Sequence, residues 1–485
     1  MTAPVEHIPP PRYQMASDPY RPLYHFSPPA NYLGDPNGTI FWNGKYHLFY
    51  QYNPDGAYDD SKRMRWGHTV STDLVHWNDL PIALTPTPGG SDRRGCWSGG
   101  AINNNGVPTL IYYGHPEGNC IAVSDDELVT WEKHPANPVI PYPPEGDGWR
   151  PFDPCAWREG DTWYSLSGGK LAGVGDTAFL CQSKDLVHWE YMHPFYISEL
   201  DKAAESDCAV PDFFPLGDRY MLLFASHERG VQYYLGTYAN HRFYPEHHGR
   251  MNFGEFGVES GHLCAGFTLL DGMDRRIFFG WIPEGRREAV QRAAGWAGVM
   301  SLPRILCLSD AGTLEIAPVP ELSVLRRNHR RRADLQIDPD TSITLEEVDG
   351  DCLEILAPFE PSSAETLGVK VCCSPDDQEQ TVIFYNPRDN CLILDANQSA
   401  DNPDVVSRGV QRGPLELAVD EPLTLHIFVD RSIVEVFANN RQCLTKRIYP
   451  ARQDSRGLQI FARGGSAKLK SIDMWEIAPI WHEQI

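Results

Sequence analysis

The chain lacks any run of eighteen apolar residues, so no helix in it is expected to cross a membrane. It also lacks a C-x-x-C pair. Its twelve cysteines are scattered singly apart from Cys372 and Cys373, which gives no spacing for a zinc site or a thioredoxin-like motif. Residues 1–11 have no charged stretch followed by an apolar one, so no secretory signal is read there. Reduced thiols and a cytoplasmic protein are the expectation. Basic residues are few: 42 Lys and Arg stand against 65 Asp and Glu, a net charge of −23. That balance argues against nucleic acid or an anionic membrane as partner, and suits a protein acting on something neutral. One basic run, Arg326 to Arg332, breaks the pattern and reads as a solvated linker helix. Helical periodicity is otherwise scarce before residue 318.

Aromatic residues are plentiful, with 13 Trp and 21 Tyr. Some must be core, but flat apolar faces also suit sugar rings. Three of the tryptophans end a repeated S-x-D-L-type segment: Ser71 to Trp77, Ser124 to Trp131 and Ser183 to Trp189. Each copy follows a strand-like run, and the tryptophans recur at 54 and 58 residues. A fixed period of this length marks stacked supersecondary units, and four-stranded propeller blades fit it. Residues 21–318 hold roughly five periods, which predicts a five-bladed β-propeller. Residues 1–20 read as an extension and 319–333 as a linker helix opened by Pro320. After it, 334–485 read as a β-sandwich, with paired alternating strands around Asp430, Arg431 and Ser432. There Asp430 and Glu435 are read as turn and solvent-face residues. The fold class is therefore all-β.

Three acidic positions each precede a strand in a different blade. Asp35 stands in Gly34-Asp35-Pro36-Asn37-Gly38, Asp153 in Phe152-Asp153-Pro154, and Glu205 and Asp207 just ahead of Pro211-Asp212. Equivalent blade positions converge on a propeller's axis. Carboxylates gathered there could supply a nucleophile or base, a proton donor and a group that orients a sugar.

These motifs resemble those of the family 32 glycoside hydrolases, the invertase, inulinase and levanase group. The resemblance runs through His25-Phe26, Gly34 to Gly38, Phe49 to Asn53, Trp66-Gly67-His68, Trp97-Ser98-Gly99, Phe279-Gly280-Trp281 and Gly295 to Arg304, and continues to Phe428 to Phe437. It implies a propeller carrying a sandwich, and a retaining double displacement that releases terminal β-D-fructofuranosyl residues from sucrose or fructo-oligosaccharides. It implies no metal or organic cofactor. Carried over by position, Asp35 would be the nucleophile and Asp153 the transition-state stabiliser. Gln51, Trp97, Ser98, Arg150 and Trp281 would line the fructose pocket.

The sequence departs from the family pattern at three places. Gly34 stands where Asn is usual, and Phe152 where Arg is usual, with Arg150 two residues earlier. The usual Glu-Cys-Pro-Asp is missing, so the proton donor is read as Glu205, with Asp207 as the alternative. A related furanosidase, a fructosyltransferase or a non-catalytic sugar-binding relative are the competing readings. Room is left for a homodimer.

Overall fold

The computed structural model describes residues 12–15, 17–59, 63–144, 149–171, 174–200, 207–251, 253–254 and 260–481. Five sheets lie before the sandwich, each built around antiparallel strands that follow one another in the chain. The first blade comprises Asn31–Trp42, Lys45–Asn53, Arg65–Ser71 and Trp77–Leu84. The innermost strands of the other four are Gly95–Asn104, Cys155–Glu159, Ala209–Leu216 and Ala265–Leu270. Each innermost strand touches the next, and the fifth touches the first, so the ring is closed. The predicted all-β fold, a propeller followed by a sandwich, is what the chain adopts.

The repeated tryptophan segment is the turn from the third to the outermost strand. The Ser hydroxyl bonds the Asp carboxylate at 3.0–3.2 Å in all three copies. In the first copy that carboxylate accepts the amides of Val75 and His76, and in the third those of Val187 and His188. Leu74, Leu128 and Leu186 take φ of 65–68°, a strained region for a branched side chain, and bury their side chains in return. The indole N–H of Trp131 and Trp189 then donates to the carbonyl of that leucine. One local hydrogen-bonded unit thus sets the blade's outer edge three times, which explains the period.

The ring closes through residues outside the regular ladders. A seven-residue α-helix, Glu288–Ala294, ends at Gly295, whose φ of 74° is the left-handed turn that glycine tolerates. The next two residues, Trp296–Ala297, pair in parallel with Asn31 and Tyr32 at the head of the first blade's inner strand. Last-blade residues therefore hold the strand that carries Asp35.

Two six-stranded sheets form the sandwich. The linker expectation needs correction here. Pro320–Leu325 is a 3-10 helix, and the basic run that follows lies in a strand, Arg326–Ile337, at a sheet edge. On a helix, Arg327, Arg330 and Arg331 would crowd one face with like charge. Extended, most of the run faces solvent while Arg326 meets Glu354 at 2.6 Å and His329 meets Asp473 at 2.8 Å. Charged side chains also suit an exposed edge strand.

Asp430 and Glu435 are not solvent-face residues; both are fully buried against the propeller. Asp430 accepts the amides of Leu23, Tyr24 and His25 and meets His25 Nδ1 at 2.9 Å. Glu435 accepts the Leu302 amide and the Arg304 guanidinium, the latter at 3.0 Å. Alternation along the hairpin made them look outward. The face they point to is covered by the propeller.

Candidate active site

The proposed residues gather at the end of the axis where the inner strands begin. Asp35 lies near the head of the first inner strand, at a register shift between Leu33 and Pro36. Trp97 and Ser98 occupy the same level of the second. Asp153 and Asp207 each stand two residues ahead of the third and fourth. Gln51 and Trp281 come from neighbouring second strands, near the ends that return to this face. Trp281 pairs with Ala265, the first residue of the fifth inner strand.

Ser98 Oγ donates to Asp35 Oδ2 at 2.8 Å. Gln51 Nε2 donates to Ser98 Oγ at 3.4 Å and to the Cys96 carbonyl at 3.3 Å. Trp97 Nε1 and Gln51 Oε1 are buried with no hydrogen-bond partner among the described residues. A buried donor and a buried acceptor beside a carboxylate are what sugar hydroxyls can satisfy. Trp281 is buried edge-on to Tyr32, with ring centroids 6.1 Å apart. At Gly34 an added Cβ would lie 3.1 Å from Gln51 Cβ and 3.3 Å from the Tyr32 ring. Gln51 and Tyr32 thus fill the room in which a longer side chain would stand.

Burial pushes the Asp35 carboxyl up to about 6, although the Ser98 hydroxyl and the His227 cation pull the other way. Burial first, and then the charge of Asp35, push Asp153 up to about 7. An ionised Asp35 thus opposes ionisation of Asp153. Asp153 has φ of 47° and takes a hydrogen bond from the Val210 backbone. Strain of this kind persists where surrounding structure holds it.

Asp207 is different. Burial alone would raise its carboxyl, but His227 holds it below its ordinary value. Its Oδ1 accepts the His227 amide at 2.9 Å and its Oδ2 meets His227 Nδ1 at 2.5 Å. In this structure it is held as an acceptor by His227. Glu205, the other candidate donor, lies outside the described residues. Arg150 is exposed, and its charge reaches Tyr113, which also feels Asp153. It flanks the cluster and is not part of its buried centre.

The chain matches the glycosyl hydrolases family 32 N-terminal domain over residues 25–318 and the family's C-terminal domain over 321–476. The chain belongs to glycosyl hydrolase family 32. It is thus a glycoside hydrolase. It is 32% identical to a sucrose-6-phosphate hydrolase of Zymomonas mobilis, over 96% of this chain and 93% of that one. It is 31% identical to a levanase of Bacillus subtilis, over 95% of this chain and 71% of that one. Among solved structures it resembles fructan 1-exohydrolase IIa of Cichorium intybus, with a TM-score of 0.84 and 27% identity, covering 95% of this chain and 98% of that one.

Within this family 32 chain, sequence reasoning missed His227. It is a lone histidine in the turn after Arg219–Ser226, twenty residues from Asp207, inside no matched motif. Only the fourth blade's hairpin brings the two together. A cavity of about 300 Å³ lies farther down the axis, lined by residues including Thr39, Asn103, Trp157, Asp212 and Arg276. There Asp212 is sealed by the Thr268 amide and hydroxyl at 2.8 and 2.6 Å, away from the carboxylate cluster.

Proposed function

We propose that this family 32 enzyme is a retaining β-fructofuranosidase that removes terminal fructosyl residues from sucrose or short fructo-oligosaccharides. Asp35 attacks the anomeric carbon, and Asp153 binds fructosyl hydroxyls and stabilises the oxocarbenium-like transition state. Water then hydrolyses the fructosyl ester on Asp35 and restores the starting configuration. Trp97, Ser98, Gln51 and Trp281 form the wall and floor for the fructose ring. The observation that carries this reading is the pair Asp35 and Asp153: two half-buried carboxyls, Asp35 stabilised as an anion by the Ser98 hydroxyl at 2.8 Å and its charge raising Asp153. The sucrose-6-phosphate hydrolase and levanase names of its relatives support a fructoside substrate. So does the complex of fructan 1-exohydrolase IIa with 1-kestose.

The test is direct. NMR of the product released from sucrose should show the β-anomer of fructose first. Asp35→Asn should lower turnover by several orders of magnitude, as loss of a nucleophile does. An α-anomer first, or a variant that keeps more than a few per cent of wild-type turnover, overturns the assignment. Gly34 and Phe152 favour a second reading, a different or substituted furanoside as the preferred substrate. A panel in which another furanoside outruns sucrose would establish it.

A further inference from the structure

The cavity at the far end of the axis holds a cation that the fold leaves unanswered. Arg276 opens the second strand of the fifth blade, Arg276–Ile282, opposite Leu270 and at the end away from Trp281. Its guanidinium lies over the Phe214 ring, 4.2 Å from the centroid. Its one hydrogen bond among the described residues runs from Nη1 to Thr268 Oγ1, and at 3.4 Å it is long. Nε is buried with no partner. Among the described residues Arg276 forms no ion pair, and Asp212 is the one carboxylate on the cavity lining. Asp212 turns Oδ2 to the Thr268 amide and hydroxyl instead. The neighbouring Arg275 shows the contrast, bonded to both Asp271 and Glu321. In a chain of net charge −23, a half-buried cation without a bonded anion is the exception.

We propose that this cavity is a binding site for a small organic carboxylate with an apolar body. A planar carboxylate takes two parallel N–H bonds from one edge of a guanidinium. The Nε and Nη2 edge of Arg276 is the one that no side chain occupies. Phe41, Trp157, Phe267 and Leu270 line the cavity around it and would take the apolar body. The volume of about 300 Å³ suits a small ligand and not a sugar chain. Inorganic phosphate would leave the aromatic walls without a partner.

The same inner strands run from this cavity to the carboxylate cluster. Thr39 follows Asp35 on the first, and Gly100 follows Ser98 on the second. A ligand here touches strands whose other ends hold the proposed reacting groups, without entering the fructose pocket. The site goes beyond the fructosidase reading and does not depend on it.

Calorimetric titration of phenylacetate, its amide phenylacetamide and inorganic phosphate tests the site on wild type, Arg276→Gln and Arg276→Lys. Phenylacetate should bind wild type at one site per chain, about tenfold or more tightly than phenylacetamide. Arg276→Gln should weaken it by about 10–100-fold, the loss of hydrogen bonds to a charged group. Arg276→Lys keeps the charge and loses the fork, so it should fall between. A cooperative melt shows that each variant folds, and the comparison of acid with amide on wild type stands without them. Fructose at saturation should not displace phenylacetate, which separates this cavity from the fructose pocket. If phenylacetate does not bind, or binds no more tightly than its amide, the cavity is not a carboxylate site. The same follows if Arg276→Gln binds it as wild type does, if fructose displaces it, or if phosphate alone binds.

Discussion

The hydroxyl of Ser98 does one measurable thing to Asp35: it donates to the anion and so favours it. Removing it should leave burial less opposed and raise the Asp35 carboxyl above about 6. As the proposed nucleophile, Asp35 must be ionised, so activity is expected to rise with pH through that value. Ser98→Ala should therefore move the acid limb of kcat/KM upward, by roughly one pH unit for a hydrogen bond to a charged group. Turnover at pH 5 should fall more than turnover at pH 8. An unmoved limb with a raised KM would make Ser98 a sugar contact only. At this scale the sequence was readable where chemistry sits in a compact motif, as with Asp35 and Asp153 in their Asp-Pro steps. It was unreadable where a pair forms across a hairpin, as with Asp207 and His227. No local pattern announces that a histidine twenty residues away returns to the same point.

Among the elements, the hairpin Leu423–Asp430 and Ile433–Ala438 shows how periodicity misleads. Its strands were legible from alternation, and its side-chain faces were not. Every residue of Ile433–Ala438 is buried, because one sheet face meets the sandwich core and the other meets the propeller. Glu435 faces the buried Arg304 and lies 3.5 Å from His25 Nε2. Replacing one partner of such a pair leaves the other charge uncompensated. Glu435→Gln should cost about 3–5 kcal/mol of stability, read as a lowered denaturation midpoint. Turnover per folded molecule at 25 °C should stay near wild type. A hundredfold loss of turnover would mean that the hairpin reaches the reacting centre. The basic edge strand carries the same lesson: seven polar residues in a row gave no period, and the partner strand decided their conformation.

For the molecule as a whole, propeller and sandwich are joined through buried ions. Arg286 meets Asp18 and Glu284, each at 3.0 Å, and Arg447 of the sandwich meets Glu284 at 3.2 Å. Burial alone would raise Asp430, but His25 holds it low; Glu435 is held low by Arg304 and His25. A depressed carboxyl lends stability above its unfolded value, and that stability is lost as pH falls through its folded value. Calorimetry should therefore show one cooperative transition near pH 6. It should show two, one for each unit, below about pH 3. A single transition at both would mean that apolar packing alone couples them. This docking was invisible in a sequence that gave each unit its own strands and turns.

The anchoring of the first blade also sets an order in time. The backbone just ahead of the inner strand bonds Asp430 across 407 residues, and the head of that strand is paired with Trp296 and Ala297. A ribosome adds 5–20 residues per second, so on the order of half a minute separates the making of Leu23 from that of its partner. For the first part of that interval the segment bearing Asp35 has neither clamp, and after Trp296 and Ala297 are made it still lacks Asp430. The residue proposed to start the chemistry is thus among the first synthesised and the last fixed, and a nascent chain carries no assembled site until the sandwich has emerged.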